Sequence, residues 1–232
     1  MAQGTPGLRV LVEGRRVAVV GNAESIRGAG CGQAIDARPV VLRINAKVSP
    51  GEAPEDVGVK TSAFIVGKVV RGWVFDGKPR NLEKVKEERV AAAREAWRVM
   101  RLEHETNGTF HGVPVIWRSE GIEEAAHKMW DPLNPDSPRN LVHFSGGSRP
   151  PGFVSTGLVA IYDCLLCQAG SIDLFGFDCW KSGDRYLLPN EDSNINAAFA
   201  AAERKRMKIL IEDYGVRPDA ILRAALYPGE GK

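Results

Sequence analysis

Short apolar runs separated by polar, glycine-bearing turns punctuate the chain. Arg16 to Gly21 (RVAVVG) is a short apolar run after its first residue and stops at a glycine, the mark of a strand buried on both faces. Val40–Ile44 (VVLRI), Ala63–Val66, Val113–Trp117 and Ile172–Phe175 repeat that pattern. Between them the period lengthens. Val90, Ala93, Trp97 and Met100 recur at three- and four-residue steps and predict a helix over Asn81 to about Glu105. Helices are also predicted over Gly121–Trp130, over Ser155–Gln168 with Ser155 or Thr156 as its cap, and from Asn194 to about Tyr214. Asp131–Arg139 (DPLNPDSPR) is a loop by its prolines.

Strands alternating with helices predict an α/β fold, a Rossmann-like, mostly parallel sheet flanked by helices. In such sheets ligands sit beyond the carboxyl ends of the strands. The turns after Val20, Ile44 and Phe175 become candidate sites by position, as does the start of the Ser155 helix, whose free N–H groups attract anions.

Composition narrows the field. With 232 residues, 44% of them apolar, the chain is read as a single domain, 1–232, with a substantial core. A formal net charge of +2 gives no basic field for nucleic acid, and the run Lys84–Arg89 alternates in sign as a solvated helix face does. Met1–Arg9 lacks a signal-like apolar stretch, and no window approaches the roughly 20 apolar residues that span a bilayer. A cytoplasmic protein is expected, with at most a peripheral association with the inner membrane. Cys31, Cys164, Cys167 and Cys179 are expected to be reduced thiols. Cys164 and Cys167 form a CxxC without a second pair or a His pair, so two thiols on a buried helix are expected rather than zinc.

Two constellations carry the chemistry. In the first, VAVVGNAESIRGAGCGQAID, the glycines Gly21, Gly28, Gly30 and Gly32 do not fit GxGxxG, which counts against a dinucleotide-dependent oxidoreductase. Asn22, followed by Ala23, sits just past one strand, and Asn45 just past the next. Two amides there could serve a ribose or a pyrimidine, or each could cap a turn. In the second, Ser155, Thr156 and Gly157 place hydroxyls and bare N–H groups at a helix start, suited to phosphate or carboxylate or to an ordinary cap.

Residues 17–61 resemble the large sialylmotif of sialyltransferases, glycosyltransferase family 29. The match runs through Val19–Asn22, Arg27, Gly28, Gly30, Gly32, Ile35, Asp36, Val41–Arg43, Asn45, Glu55–Gly58, Lys60 and Thr61. Residues 153–177 resemble the small sialylmotif through Ser155, Thr156, Gly157, Cys167, Asp173, Leu174, Gly176 and Phe177, with Val154 where proline is usual. The resemblance implies a GT-A variant fold and inverting transfer of a CMP-activated ulosonic acid to a glycan hydroxyl, without a metal or other cofactor. It implies donor contacts from Asn22, Ala23, Asn45, Ser155, Thr156, Gly157, Gly176 and Phe177. Val17 stands where the animal enzymes have a cysteine bonded to the counterpart of Cys167, so that disulfide is absent, as suits a bacterial, soluble member.

The family's late motifs supply a histidine for the phosphate and a histidine base five residues before a glutamate. All four histidines, His104, His111, His127 and His143, precede the small motif. Glu203 matches the glutamate, but Ala198 occupies the base position, and Arg185 with Tyr186 is the nearest candidate for the phosphate motif. Three readings of Ala198 stay open: a histidine-to-alanine substitution, another base such as Glu191, Asp192 or a histidine brought in by the fold, or binding of CMP without catalysis. His143 precedes the Ser145–Ser148 loop, which either joins the pocket or lies on the surface. Sialic acid is the expected sugar. CMP-Kdo, used in capsule or lipopolysaccharide synthesis, shares the CMP and the carboxylate and remains the alternative.

Overall fold

The structure, a computed structural model, describes residues 4–45, 53–66, 108–110, 112–117, 122, 126, 154–179 and 197–229. The expected helix over Asn81–Glu105, the proline loop 131–139 and most of 121–130 lie outside these. Ile122 and Ala126, one helical turn apart, are described and both are buried in the core.

Among the described residues, seven strands form one sheet: β1 (Arg16–Val20), β2 (Val40–Ile44), β3 (Ala63–Val66), β4 (Thr109–Phe110), β5 (Val113–Trp117), β6 (Ser171–Phe175) and β7 (Arg217–Pro218). Their order across the sheet is β4-β5-β3-β2-β1-β6-β7, parallel except for the β4–β5 pair. All five strands read from sequence are present, with β6 starting one residue earlier. The short β4 and β7 offered no apolar run to read.

Side chains alternate across the sheet with the period of a strand. Val17, Val19, Val40, Leu42, Ile44, Ile172 and Leu174 face one core, built with Leu8 and Val12 of helix α1 (Pro6–Val12), Leu158 and Ile161 of a long central helix, and Leu222 and Leu226 near the C-terminus. Ala18, Val20, Val41 and Phe175 face the other, closed by Ile26, Ile35 of α2 (Gly32–Asp36) and Val57 of α3 (Pro54–Val57). With cover on both faces, these strands need no polar side, which is why they read as nearly continuous apolar runs, interrupted by Arg43 in β2 and Asp173 in β6.

The central helix, α4 (Thr156–Leu166), starts at Ser155, whose Oγ accepts the Leu158 N–H at 3.2 Å. Helix α5 (Ala197–Glu212) follows, then β7 and α6 (Ala220–Leu226), capped by Asp219. Neither α1 nor the β7–α6 unit was expected from sequence. Helix α1 is docked by Thr5, whose N–H and Oγ1 donate to the Asp163 carboxylate at 2.8 and 2.6 Å.

The sheet order fixes where a ligand belongs. From β1 the chain builds outward through β2, β3 and β5 on one side and through β6 and β7 on the other. The reversal falls between β1 and β6, and a crevice at their carboxyl ends is the expected ligand position in a sheet of this kind.

Candidate functional site at the strand reversal

Strands β1 and β6 end together, with Val20 beside Phe175. Beyond them the two chains stay joined. Gly21 N–H donates to the Phe175 carbonyl at 2.8 Å, and Ala23 N–H donates to the Gly176 carbonyl at 3.0 Å. A β-carbon on Gly21 would stand 2.4 Å from the Gly176 oxygen, so the approach requires glycine there. Gly176 takes a left-handed φ of +67°.

Asn22 is the next residue, and its Nδ2 donates to the Ile44 carbonyl at 2.9 Å. That bond fastens the end of β1 to the end of β2, one residue before Asn45. Asn45 has φ +58°, a conformation asparagine tolerates better than most side chains, and its N–H donates to the Ile65 carbonyl at 2.8 Å. The two amides singled out by sequence are therefore neighbours above adjacent strands. One N–H of Asn22 is committed to the frame.

The start of α4 closes the other wall. A β-carbon on Gly157 would lie 2.6 Å from Cε1 of Phe177, and one on Gly21 would lie 3.1 Å from Cδ2 of the same ring. The Phe177 ring thus separates the turn after β1 from the first turn of α4 by its own width. This brings Asn22, Ala23, Gly176, Phe177, Ser155, Thr156 and Gly157 into one neighbourhood. Ser155 is held from behind: its N–H donates to Glu203 Oε1 at 3.1 Å, and Glu203 is buried on α5. This grouping puts amide, hydroxyl and N–H groups beside the positive end of a helix, the donor set for a nucleoside and an attached phosphate or carboxylate.

Much of the first constellation is internal framework. The Asp56 carboxylate accepts the N–H groups of Gly28 and Gly30 at 2.6 and 2.8 Å. These bonds, the one from Gly28 foremost, hold its carboxyl below the usual range. The glycine-rich turn therefore cradles an anion supplied by the chain itself. Asp36 does likewise for the N–H groups of Val59 and Lys60. Arg43, buried in mid-sheet, donates from Nε to Thr61 Oγ1 and from Nη2 to the carbonyls of Val57, Gly58 and Lys60. Burial brings its pKa down to about 10.

The expected catalytic positions are placed only in part. Ala198 lies in the first turn of α5, on the same helix as Glu203. Arg185, Tyr186, Glu191, Asp192, the Ser145–Ser148 loop and all four histidines lie outside the described residues. Sequence reading missed Asp219, which reaches the crevice from the C-terminal unit through the Gly176 N–H at 3.1 Å. It also missed the buried Asp178, next to Phe177, which accepts from Ser25 Oγ at 3.2 Å. An aspartate ahead of an apolar helical run is the one signal that marked Asp219.

All four cysteines are free thiols. Cys164 and Cys167 lie in the core, where Cys167 Sγ donates to Asp163 Oδ1 at 3.6 Å and burial pushes its pKa up to about 12. Cys179, with φ +52°, is likewise pushed to about 12, first by burial and then by the charge of Glu203. Among the described residues no group of His, Cys, Asp and Glu could hold a metal ion, and no helix is long and apolar enough to cross a membrane.

The family described as glycosyltransferase family 29 (sialyltransferase) has a model that matches residues 12–86. No curated protein sequence matches the chain. A mammalian sialyltransferase solved in complex with Gal-beta-1-3GalNAc-ortho-nitrophenol is similar in structure, with 21% identity and a TM-score of 0.50, over 90% of this chain and 71% of that one. A second mammalian sialyltransferase structure gives 20% and 0.49 over 88% and 68%. The sialyltransferase CstII from Campylobacter jejuni, in complex with a substrate analogue, cytidine-5'-monophosphate, gives 11% and 0.44 over 89% and 79%. The likeness of fold rests on the first of these. The resemblance read from the motifs is borne out: over residues 12–86 the chain is similar in sequence to the sialyltransferases of glycosyltransferase family 29, and over 90% of its length it has the fold of one.

Proposed function

We propose that the chain is a glycosyltransferase that moves a CMP-activated ulosonic acid, sialic acid first among them, to a hydroxyl of a glycan. The observation that carries this reading is the meeting of Asn22, Asn45 and the Ser155–Gly157 helix start at the strand reversal. The family match over 12–86 supports it from the sequence side. Asn22, Ala23 and Asn45 would hold the nucleoside. The start of α4 would take the phosphate or the sugar carboxylate, with Gly176 and Phe177 as the floor. Arg185 and Tyr186 are proposed to neutralise the phosphate.

Chemically, a base takes the acceptor hydroxyl proton, the freed oxygen attacks the anomeric carbon from the face opposite the phosphate, and CMP departs with the electrons of the broken bond. The anomeric carboxylate stabilises the cation-like sugar, and no metal is needed in this scheme. The base position falls at Ala198, with Glu203 supporting it from the same helix. We place the reaction on the cytoplasmic side, with at most peripheral contact to the inner membrane.

The presence of Ala198 favours one further reading, a protein that binds CMP without transferring sugar. A CMP-release assay on the unaltered chain and on Ala198→His separates the two. CMP-sialic acid and CMP-Kdo are supplied side by side, with a β-galactoside as first acceptor, because the mammalian relative was solved with one. Release with CMP-sialic acid supports the first reading. Release with CMP-Kdo alone changes the sugar. CMP binding in calorimetry without release by either protein supports the binding protein, and loss of all CMP binding ends both readings.

A further inference from the structure

We infer that Asp219 is a positioning residue for the donor site, acting on the crevice through Gly176. This rests on the reading of that crevice as a CMP site. Asp219 lies on neither motif, 43 residues beyond Gly176. Its backbone N–H donates to the Leu174 carbonyl at 3.0 Å, which seats it against the end of β6. One carboxylate oxygen, Oδ1, accepts the Leu222 N–H at 2.7 Å and caps α6. The other, Oδ2, accepts the Gly176 N–H at 3.1 Å.

That second bond is not needed for a helix cap. Its effect lies on the site side. Gly176 has a left-handed φ of +67°, and its carbonyl accepts the Ala23 N–H at 3.0 Å. Asp219, Gly176 and Ala23 therefore form a relay that fixes where β6 hands over to Phe177 and where β1 hands over to Asn22. Both walls of the crevice depend on that junction.

The site also pays a cost for this carboxylate. Burial, first, and the charge of Asp178 push the Asp219 carboxyl above its ordinary value, against the bonds from Leu222, Gly176 and Ile221. A serine or asparagine could cap α6 equally well without a buried charge. The carboxylate supplies a second acceptor oxygen, for Gly176, which neither a serine nor an asparagine cap would have to spare.

The test compares Asp219→Ser and Asp219→Asn with the unaltered full chain. Serine retains a cap oxygen for Leu222 but does not reach Gly176. Asparagine retains the cap and turns an N–H toward the Gly176 N–H. Thermal melting, amide exchange at Gly176, Ala23 and Leu222, and CMP titration calorimetry are read together. Both variants are expected to fold and to retain Leu222 protection. Gly176 and Ala23 should exchange faster, and CMP should bind at least about tenfold more weakly, the scale of one lost bond to a charged acceptor. Unchanged exchange at Gly176, or unchanged CMP affinity beside faster exchange, overturns the inference. So does failure of both variants to fold, because a positioning residue leaves the fold standing. If the unaltered chain binds no CMP, it is the donor reading that fails, and exchange at Gly176 and Ala23 still decides whether Asp219 holds the junction.

Discussion

The Glu203 carboxylate accepts the backbone N–H of Ser155 at 3.1 Å and so ties the middle of α5 to the start of α4. Two segments 48 residues apart meet at the point proposed to receive the donor's negative charge. Removing the carboxylate exposes a buried donor to no partner. Glu203→Ala is expected to cost about 1–3 kcal/mol, read by urea unfolding, and to weaken CMP binding. Glu203→Gln retains an acceptor oxygen and should lose less than half as much. Equal losses in the two variants would mean that the charge, not the bond to Ser155, is what matters.

The Phe177 ring fills the gap between Gly21 and Gly157. Gly157→Ala places a methyl 2.6 Å from the ring edge, closer than carbon atoms approach. The ring or the helix must shift, at a cost of about 1–3 kcal/mol. Because the shift opens the crevice between the two walls, CMP affinity should fall along with the melting temperature. A Gly157→Ala protein with unaltered CMP affinity would place the ligand elsewhere.

Acid should loosen the glycine-rich turn before the rest of the sheet. The Asp56 carboxyl is held below its ordinary range by the N–H of Gly28, then that of Gly30. Its folded pKa lies below the unfolded one, so the stability it contributes is present above the unfolded value of about 3.9 and disappears as pH falls through the folded value. Asp56→Asn, which cannot ionise, should flatten the acid side of the stability–pH curve. Urea midpoints measured between neutral pH and acid would show it, and an unchanged acid limb would remove Asp56 from the account.

Asp163 behaves in the opposite sense. Burial raises its carboxyl, and the bonds from Thr5 and Cys167 offset only part of that. A raised folded pKa means stability that is full below the unfolded pKa and declines as pH rises through the folded one. Thr5→Val removes the 2.6 Å hydroxyl bond and should raise that pKa further. The penalty, about 1–3 kcal/mol, should be complete at neutral pH and shrink in acid. A penalty independent of pH would show that α1 is held by Leu8 and Val12 instead.

Strands β1, β2, β3 and β6 were legible in the sequence because both their faces are covered, which leaves few polar residues to confuse the pattern. The Ser155 cap and the long central helix were legible for the same local reasons. Helix α1 was not: its only fully buried side chains are Leu8 and Val12, and the bond that docks it reaches Asp163, far along the chain. The β7–α6 unit has a two-residue strand containing a proline, which gives no periodic signal. At the site, Asn22 and Asn45 were marked by position just past a strand. Asp219 was not, because its second bond is visible only once β6 and α6 are side by side. The resemblance marked Asp36, Arg43 and Asp56 only as matching positions of the large motif, and their bonds show that this part of it is scaffolding.

Arg43 brings that scaffolding to a single point. A guanidinium lying only 1% exposed, with Nη1 lacking any hydrogen-bond partner among the described residues, can leave its place only by drawing water into the sheet. The carbonyls of Val57, Gly58 and Lys60 hang the connection from Val57 to Lys60 on that cation. A short connection at the rim of a fold ordinarily breathes on its own, exchanging its amide hydrogens long before the interior does. Here it should be kinetically locked to the interior, releasing deuterium at Val59 and Lys60 only when the whole molecule opens, and Arg43→Met should set it free.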